Sequence, residues 1–251
     1  MTDTEPRLRV AVFRPDDERL ADAVELLDSL GTTPVADPML EVQPADTTPR
    51  EDADFVIFTS KTGVELVSEA GWTSGDSIVC AIGEPTANAL RDAGFDVDIV
   101  PETYSSTGLV DTLEGKVGGK LVEVARSDHG SAVLIDGLFE AGAYVHETVL
   151  YRLVRPEGAG ESAELAAAGD LGVALFTSSL TVEHFLDAAE ERGIRNEAIA
   201  GLNDAVVGTI GEPTRETAES LGISVDVVPE AADFEELACE VVEGAAPTYH
   251  E

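Results

Sequence analysis

Short apolar runs alternate with amphipathic stretches along the chain: LRVAVF then DDERLADAVELLDSLG, DFVIF then TGVELVSEAG, SIVCAI then PTANALRDAG, VDIV then STGLVDTLEG. The runs are rich in Val, Ile and Phe and too short for helices, so they predict strands. The longer stretches space apolar residues at helical intervals and end at glycine, which supplies the left-handed position that closes a helix. Strands that are apolar at consecutive positions are covered on both faces, and strands separated by helices run parallel. The fold class is therefore α/β.

The pattern also repeats. AIGEPTANAL from Ala81 and TIGEPTRETA from Thr209 stand 128 residues apart, and the same shift carries Gly94 onto Gly222, Pro101 onto Pro229 and Leu109 onto Leu237. FVIFTS (Phe55–Ser60) pairs with VALFTS (Val173–Ser178) at an offset of 118, and VAVFR ending at Arg14 pairs with VEVAR ending at Arg126 at 112. Solenoid repeats fall at roughly 20 to 50 residues, so this is a duplicated domain in an A-B-A-B order: Leu8–Val42, Asp54–Leu113, Lys120–Val154 and Leu171–Val242. Each A plus B set supplies five strands, the size of a flavodoxin-like unit, whose ligands sit beyond the carboxyl ends of the strands. Two such units imply a cleft.

Composition changes the picture in one respect. Fifteen Lys plus Arg stand against 50 Asp plus Glu, a net charge of −35, with lysine only at 61, 116 and 120. The apolar share of 43% rules out a disordered acidic chain, so the acid belongs to the surface. Self-repulsion of this size is relieved as salt shortens the Debye length to about 3 Å at 1 M, and a salt-rich cytoplasm is expected. The charge disfavours nucleic acid. MTDTEPRLRV lacks a signal-peptide pattern and no run reaches the roughly 20 apolar residues of a membrane span. Cys80 and Cys239 read as buried thiols without a disulfide. His129, His146, His184 and His250 show no metal-ligand spacing, and His129 reads as a surface residue. The tail EGAAPTYHE is expected to be disordered.

The loops at the strand ends carry the candidate chemistry. In IGEPT, Gly83 lets the backbone turn, Gly83 or Glu84 is the cap, Pro85 suits the first helical position, and Thr86 lies in the first turn beside unpaired N–H groups that favour an anion. Gly211, Pro213 and Thr214 repeat this. FTS with the start of its helix forms another such turn, at Ser60, Lys61 and Thr62 and again at Ser178 and Ser179. Four of the scarce cations, Arg14, Lys61, Arg126 and Arg215, fall at predicted strand-to-helix loops. Helix N-termini with sparse cations point to a small polyanionic ligand carrying carboxylates or phosphates.

The run FTS-x-x-GVE, the segment AIGEPTANALRDAGFDVDIVPETYSSTGLVDTL, the segment VLYRLVRP and the second FTS…IGEPT pass together resemble the uroporphyrinogen-III synthase family over nearly the whole chain. The resemblance implies two flavodoxin-like domains, each a five-stranded parallel sheet with helices on both faces. Residues 1–38 and 155–251 would form one domain and 42–150 the other, joined by linker strands at 39–44 and 148–155. It implies the substrate hydroxymethylbilane, a linear tetrapyrrole with eight carboxylates, closed with loss of water and inversion of ring D, without cofactor or metal. Spontaneous closure gives the uninverted isomer, so binding has to steer geometry. The family's cleft threonines match Thr86 and Thr214, its cleft tyrosine matches Tyr151, and its serine after the strand matches Ser60 and Ser178. Lys61 and Ser179 stand where proline is common. Tyr151 is then the candidate to assist departure of the hydroxyl. A cytoplasmic monomer in transient contact with the upstream bilane-forming enzyme is implied. The competing reading is a two-domain module that binds a small polyanion without chemistry. A nucleotide-sugar transferase would need a GxGxxG loop that the chain lacks.

Overall fold

The computed structural model describes residues 7–245. Along the chain lie β1 (Arg9–Phe13), α1 (Glu18–Ser29), β2 (Thr33–Ala36), β3 (Glu41–Pro44), β4 (Phe55–Phe58), α2 (Lys61–Glu69) and β5 (Ile78–Ala81). Then come α3 (Glu84–Asp92), α4 (Ser106–Leu113), β6 (Leu121–Ser127), α5 (Ala132–Glu140), β7 (Tyr144–Val154) and α6 (Glu161–Ala167). The described chain ends with β8 (Val173–Phe176), α7 (Ser179–Glu191), α8 (Arg195–Asp204), β9 (Val206–Thr209), α9 (Glu212–Ser220) and α10 (Phe234–Ala245).

Contacts divide the protein into two units, one made of residues up to Glu41 with those from Val154 on, the other spanning Val42–Leu153. The discontinuous unit has a four-stranded sheet in the order β2-β1-β8-β9, the continuous one a five-stranded sheet in the order β3-β7-β6-β4-β5. β1 pairs in parallel with β8, with Val10 opposite Val173, so the start of the chain joins a segment more than 150 residues further on. β6 pairs in parallel with β4 in the equivalent place, with Val124 opposite Ile57.

The discontinuous unit has four strands rather than the expected five. VDIV and its copy VDVV do not extend their ladders: each makes one bridge, Cys80 with Ile99 and Gly208 with Val227. The cause is the aspartate in each run. Asp98 takes the Val79 N–H on its carboxylate at 2.8 Å, and Asp226 takes the Val207 N–H at 2.8 Å. The side chain thus occupies a donor that a continued strand would bond through its backbone.

Each sheet is covered on both faces. In the discontinuous unit, α1 and α10 pack on one face through Leu20, Leu27, Leu237 and Val241. The other face holds Phe13, Phe176 and Phe185, the first two stacked at 4.5 Å between ring centroids. In the continuous unit α2 and α3 cover one face through Val64, Val67 and Leu90. The opposite face carries α4 and α5, through Leu109, Leu113, Leu134 and Leu138. Burying each such side chain contributes about 2 kcal/mol. The ten-residue α8 accounts for the change in repeat offset from 118 to 128 between the FTS and IGEPT motifs. It lies so close to α6 that a Cβ on Gly201 would stand 1.8 Å from the Ala166 carbonyl oxygen.

Two further expectations are corrected. Cys80 is buried as expected, but Cys239 is exposed, because it faces away from the stripe of α10 formed by Phe234, Leu237, Ala238 and Val241. Glu243–Ala245, expected to belong to a disordered tail, complete α10; the rest of that tail lies outside the described residues. No helix among the described residues is long and apolar enough to cross a membrane.

Candidate functional site

Parallel strands place their carboxyl ends, and hence the turns that follow them, on one rim of each sheet. In the continuous unit that rim is organised by Tyr151. Its ring packs on the α2–α3 face and the residue is 6% exposed, while its hydroxyl donates to Ser60 Oγ at 3.0 Å. Ser60 caps α2, accepting the Gly63 N–H at 3.1 Å. A side chain at 63 would press on Leu150 Cδ1 at 3.1 Å and Ser60 Oγ at 3.2 Å, so glycine permits this close turn. Lys61 and Thr62 follow with first-turn amides that have no partner within the helix. Lys61 is exposed, makes no ion pair among the described residues, and lines a groove of 480 Å³ between α2 and α3.

The two IGEPT turns share one geometry. Gly83 and Gly211 are extended N-caps at φ −175° and −176°, and the prolines sit at the second helical position rather than the first. Thr86 and Thr214 are each 4% exposed, and among the described residues neither hydroxyl bonds a protein group. The turns differ in what covers them. Tyr104, 60% exposed, lies so close to Gly83 that a Cβ there would meet its Cβ and Cγ at 3.0 Å. At Gly211 the nearest contact is Pro213 Cδ, at 3.9 Å.

In the discontinuous unit Ser178 caps α7 through a capping box with Thr181. Ser179, in the place of Lys61, donates to the Pro213 carbonyl at 3.1 Å and accepts from Thr217 Oγ1 at 2.8 Å, tying α7 to α9.

The arginines are more engaged than their loop positions suggest. Arg14 stands at the end of β1 with its guanidinium 4.4 Å over the Phe234 ring and one N–H on the Arg19 carbonyl at 3.3 Å. Burial, with repulsion from Arg19, holds its pKa below the ordinary guanidinium value. Arg126, at the matching place in β6, is 8% exposed and pairs with Glu147 at 2.7 Å and with the Ser131 carbonyl at 2.7 Å; its Nε has no partner among the described residues. Arg215 lies in the body of α9, paired with Glu212 and Glu219. The expected loop placement is therefore corrected for Arg126, which lies within a strand, for Lys61, which is the first residue of α2, and for Arg215, which lies within a helix.

The loop after β6 carries a pair that the sequence does not single out. His129 Nδ1 lies 2.9 Å from Asp128 Oδ1. Asp128 in turn accepts the Leu153 N–H at 3.0 Å and donates its own N–H to the Tyr151 carbonyl at 3.2 Å. Burial raises the Asp128 pKa, but its bonds to His129 and the Leu153 amide outweigh this and leave it below the usual carboxylate value. Adjacent Asp and His in LVEVARSDHG are the available signal; the tether to β7 is not local in sequence. Among the described residues no group of three or more His, Cys, Asp or Glu is placed to hold a metal ion.

Comparison with known proteins adds to this geometry. The family model described as Uroporphyrinogen-III synthase HemD matches residues 21–239. A relative from Methanothermobacter thermautotrophicus whose name carries uroporphyrinogen-III synthase is 37% identical over 237 residues, covering 88% of this chain and 92% of its own. The uroporphyrinogen-III synthase of Chlorobaculum parvum is 24% identical over 93% of this chain and 98% of its own. A crystal structure of a mutant uroporphyrinogen III synthase from Thermus thermophilus is similar with a TM-score of 0.68 at 20% identity, over 95% of this chain and 98% of that one.

Proposed function

The chain belongs to the uroporphyrinogen-III synthase family and is a lyase of tetrapyrrole biosynthesis; from that premise we propose how its residues act. The substrate the family implies is hydroxymethylbilane, whose hydroxyl leaves as water before the ring closes with ring D inverted. The departing hydroxyl leaves an electron-rich pyrrole cation that closes unaided to the wrong isomer. The protein's task is therefore to hold a curled chain and to bias which carbon is attacked.

The rim of each unit contributes its own donors to substrate carboxylates. The unpaired amides after Ser60, Gly83, Ser178 and Gly211, with the hydroxyls of Thr86 and Thr214, donate to oxygen atoms of acetate or propionate arms. Lys61 adds a free ammonium. Arg14, Arg126 and Arg215 add cations near these turns in a chain of net charge −35, Arg126 already paired with Glu147 and Arg215 with Glu212 and Glu219. Tyr151 acts at the reacting end through the polarised pair it forms with Ser60. The observation that carries this assignment is that hydrogen bond, because it places a buried phenol at the helix start that the sequence singles out. The chain passages at 39–44 and 148–155 serve as linking strands; β3 and β7 are neighbours in one sheet.

The charge of −35 supports a protein adapted to a salt-rich cytoplasm, and repulsion between like copies supports a monomer. A substrate that closes spontaneously favours direct passage from the enzyme that makes it. The deciding experiment supplies freshly made hydroxymethylbilane in molar salt and separates the type I and type III products. Type III is expected at a rate proportional to protein. Type I alone, at the uncatalysed rate, would leave only the reading of a module that binds a polyanion.

A further inference from the structure

We propose that His129, held by Asp128, is the acid that protonates the departing hydroxyl. The proposal rests on the reading of the Val42–Leu153 rim as the reaction site. In the step, the carbon–oxygen bond of the hydroxymethyl group breaks with its electron pair leaving on oxygen. The proton on His129 Nε2 passes to that oxygen, and water departs. The pyrrole nitrogen supplies electrons to the carbon left behind, forming the cation. When the terminal pyrrole attacks and later loses a proton, neutral His129 takes it back, so the enzyme ends as it began.

Three observations point to this residue. Tyr151 has its hydroxyl proton on Ser60 and only 6% of its surface exposed, which leaves it suited to orient rather than to donate. The side chain of His129 is 44% exposed, and its Nδ1 is engaged by Asp128, so Nε2 is the nitrogen left free of that bond. An imidazole fixed through one nitrogen by a carboxylate is oriented for proton transfer through the other.

The third observation is topological. β6 and β4 are neighbours, yet the chain leaves β6 toward α5 on one face and leaves β4 toward α2 on the other. Divergence of this kind opens a crevice at the carboxyl ends, the usual ligand position in such sheets. The 127–131 loop and the Ser60 turn border that place. The loop is held from below by Arg126 on the Ser131 carbonyl and from the side by Asp128 on Tyr151 and Leu153. A Cβ on Gly130 would meet Arg126 Cδ at 2.4 Å, so the loop lies directly against the arginine side chain.

The test compares His129→Gln, His129→Ala, Asp128→Asn and Tyr151→Phe, each read as the rate of type III formation after subtraction of spontaneous closure, with folding checked by melting. We expect kcat to fall about 100-fold in His129→Gln with KM little changed, and about 10-fold in Asp128→Asn. Added imidazole should restore part of the His129→Ala rate with saturation, which a structural role would not produce. Wild-type kcat in His129→Gln beside an impaired Tyr151→Phe overturns the acid assignment and leaves the site standing. Loss in His129→Ala without imidazole rescue, with Asp128→Asn silent, also overturns it. Wild-type rates in all four variants remove the site reading itself.

Discussion

Thr86 and Thr214 hold the same third position of two helices that begin with the same turn. Each is 4% exposed with a hydroxyl that bonds no protein group among the described residues. Neither oxygen is among the buried polar atoms left without a partner, so both hydroxyls are open to solvent and free to donate to a group from outside. Replacing both by alanine should leave stability within about 0.5 kcal/mol of wild type, because no internal hydrogen bond is lost. The same double variant should raise KM for hydroxymethylbilane about 10-fold, the equivalent of one to two modest hydrogen bonds. Steady-state kinetics beside a urea melt separates the two effects; a destabilised variant with unchanged KM would mark the threonines as structural.

Tyr151→Phe removes the donor to Ser60 but keeps the buried ring. Ser60 still accepts the Gly63 N–H, so α2 keeps its cap and the stability loss should be about 1 kcal/mol. Activity should fall further, with kcat down about 10-fold and a larger share of type I product. Chromatographic separation of the isomers reads this directly.

Much of this arrangement is legible in the chain itself, and the exceptions have physical causes. Helix starts at Ser60, Gly83, Ser178 and Gly211 follow from local chemistry: a capping hydroxyl or a flexible turn, then proline and an amphipathic stretch. The fifth strand is not so legible, because VDIV is apolar enough to extend a sheet while the preference of the Asp98 carboxylate for the Val79 N–H depends on a neighbour 19 residues away. Spacing places the cations near strand ends, but what a guanidinium faces depends on distant partners. Arg126 meets Glu147 from the next strand, and Arg14 meets Phe234 from the far end of the chain. The ten extra residues before the second IGEPT are visible as a change in offset, yet RNEAIAGLND is too weakly amphipathic to announce a helix. Asp128 and His129 stand adjacent in the sequence; their tether to Tyr151 and Leu153 is visible only in the folded chain.

The charge balance predicts a dependence on salt. With −35 spread over 251 residues, lowering salt from about 1 M to about 0.1 M lengthens the Debye reach from roughly 3 Å to roughly 10 Å and switches on repulsion between side chains that molar salt isolates. The melting temperature should rise by about 10 °C between about 0.1 M and about 2 M potassium chloride, a change of a few kcal/mol for a chain of this size. A cooperative melt that does not move over this range would remove the inference of a salt-rich setting.

The two cysteines should behave oppositely toward iodoacetamide. Burial pushes the Cys80 pKa up to about 12, with the Asp98 charge adding to it, so this thiol stays protonated and enclosed. Cys239 is exposed on α10. Because the thiolate is the reacting species, mass spectrometry of the native protein should show one label, at Cys239, with the second appearing only on unfolding. Equal labelling of both in the native state would contradict the packing of β5.

Asp37 offers a stability test confined to the discontinuous unit. Its carboxylate, 4% exposed at the end of β2, accepts the backbone N–H of Gly160 and of Ser162, each at 2.9 Å, and the Ser162 hydroxyl as well. It therefore caps α6 from 125 residues away, replacing the cap that Gly160 lacks a side chain to provide. Alanine at 37 would leave three buried donors unpaired, at a cost of about 3 kcal/mol, which lowers the melting temperature by about 9 °C in a chain of this length. Asparagine keeps one acceptor and should lose roughly half as much. The Tyr151–Ser60 pair belongs to the continuous unit, so residual folded protein should close hydroxymethylbilane with unchanged kcat. A fall in kcat in proportion to the loss of stability would mean that the α6 cap also governs the chemistry.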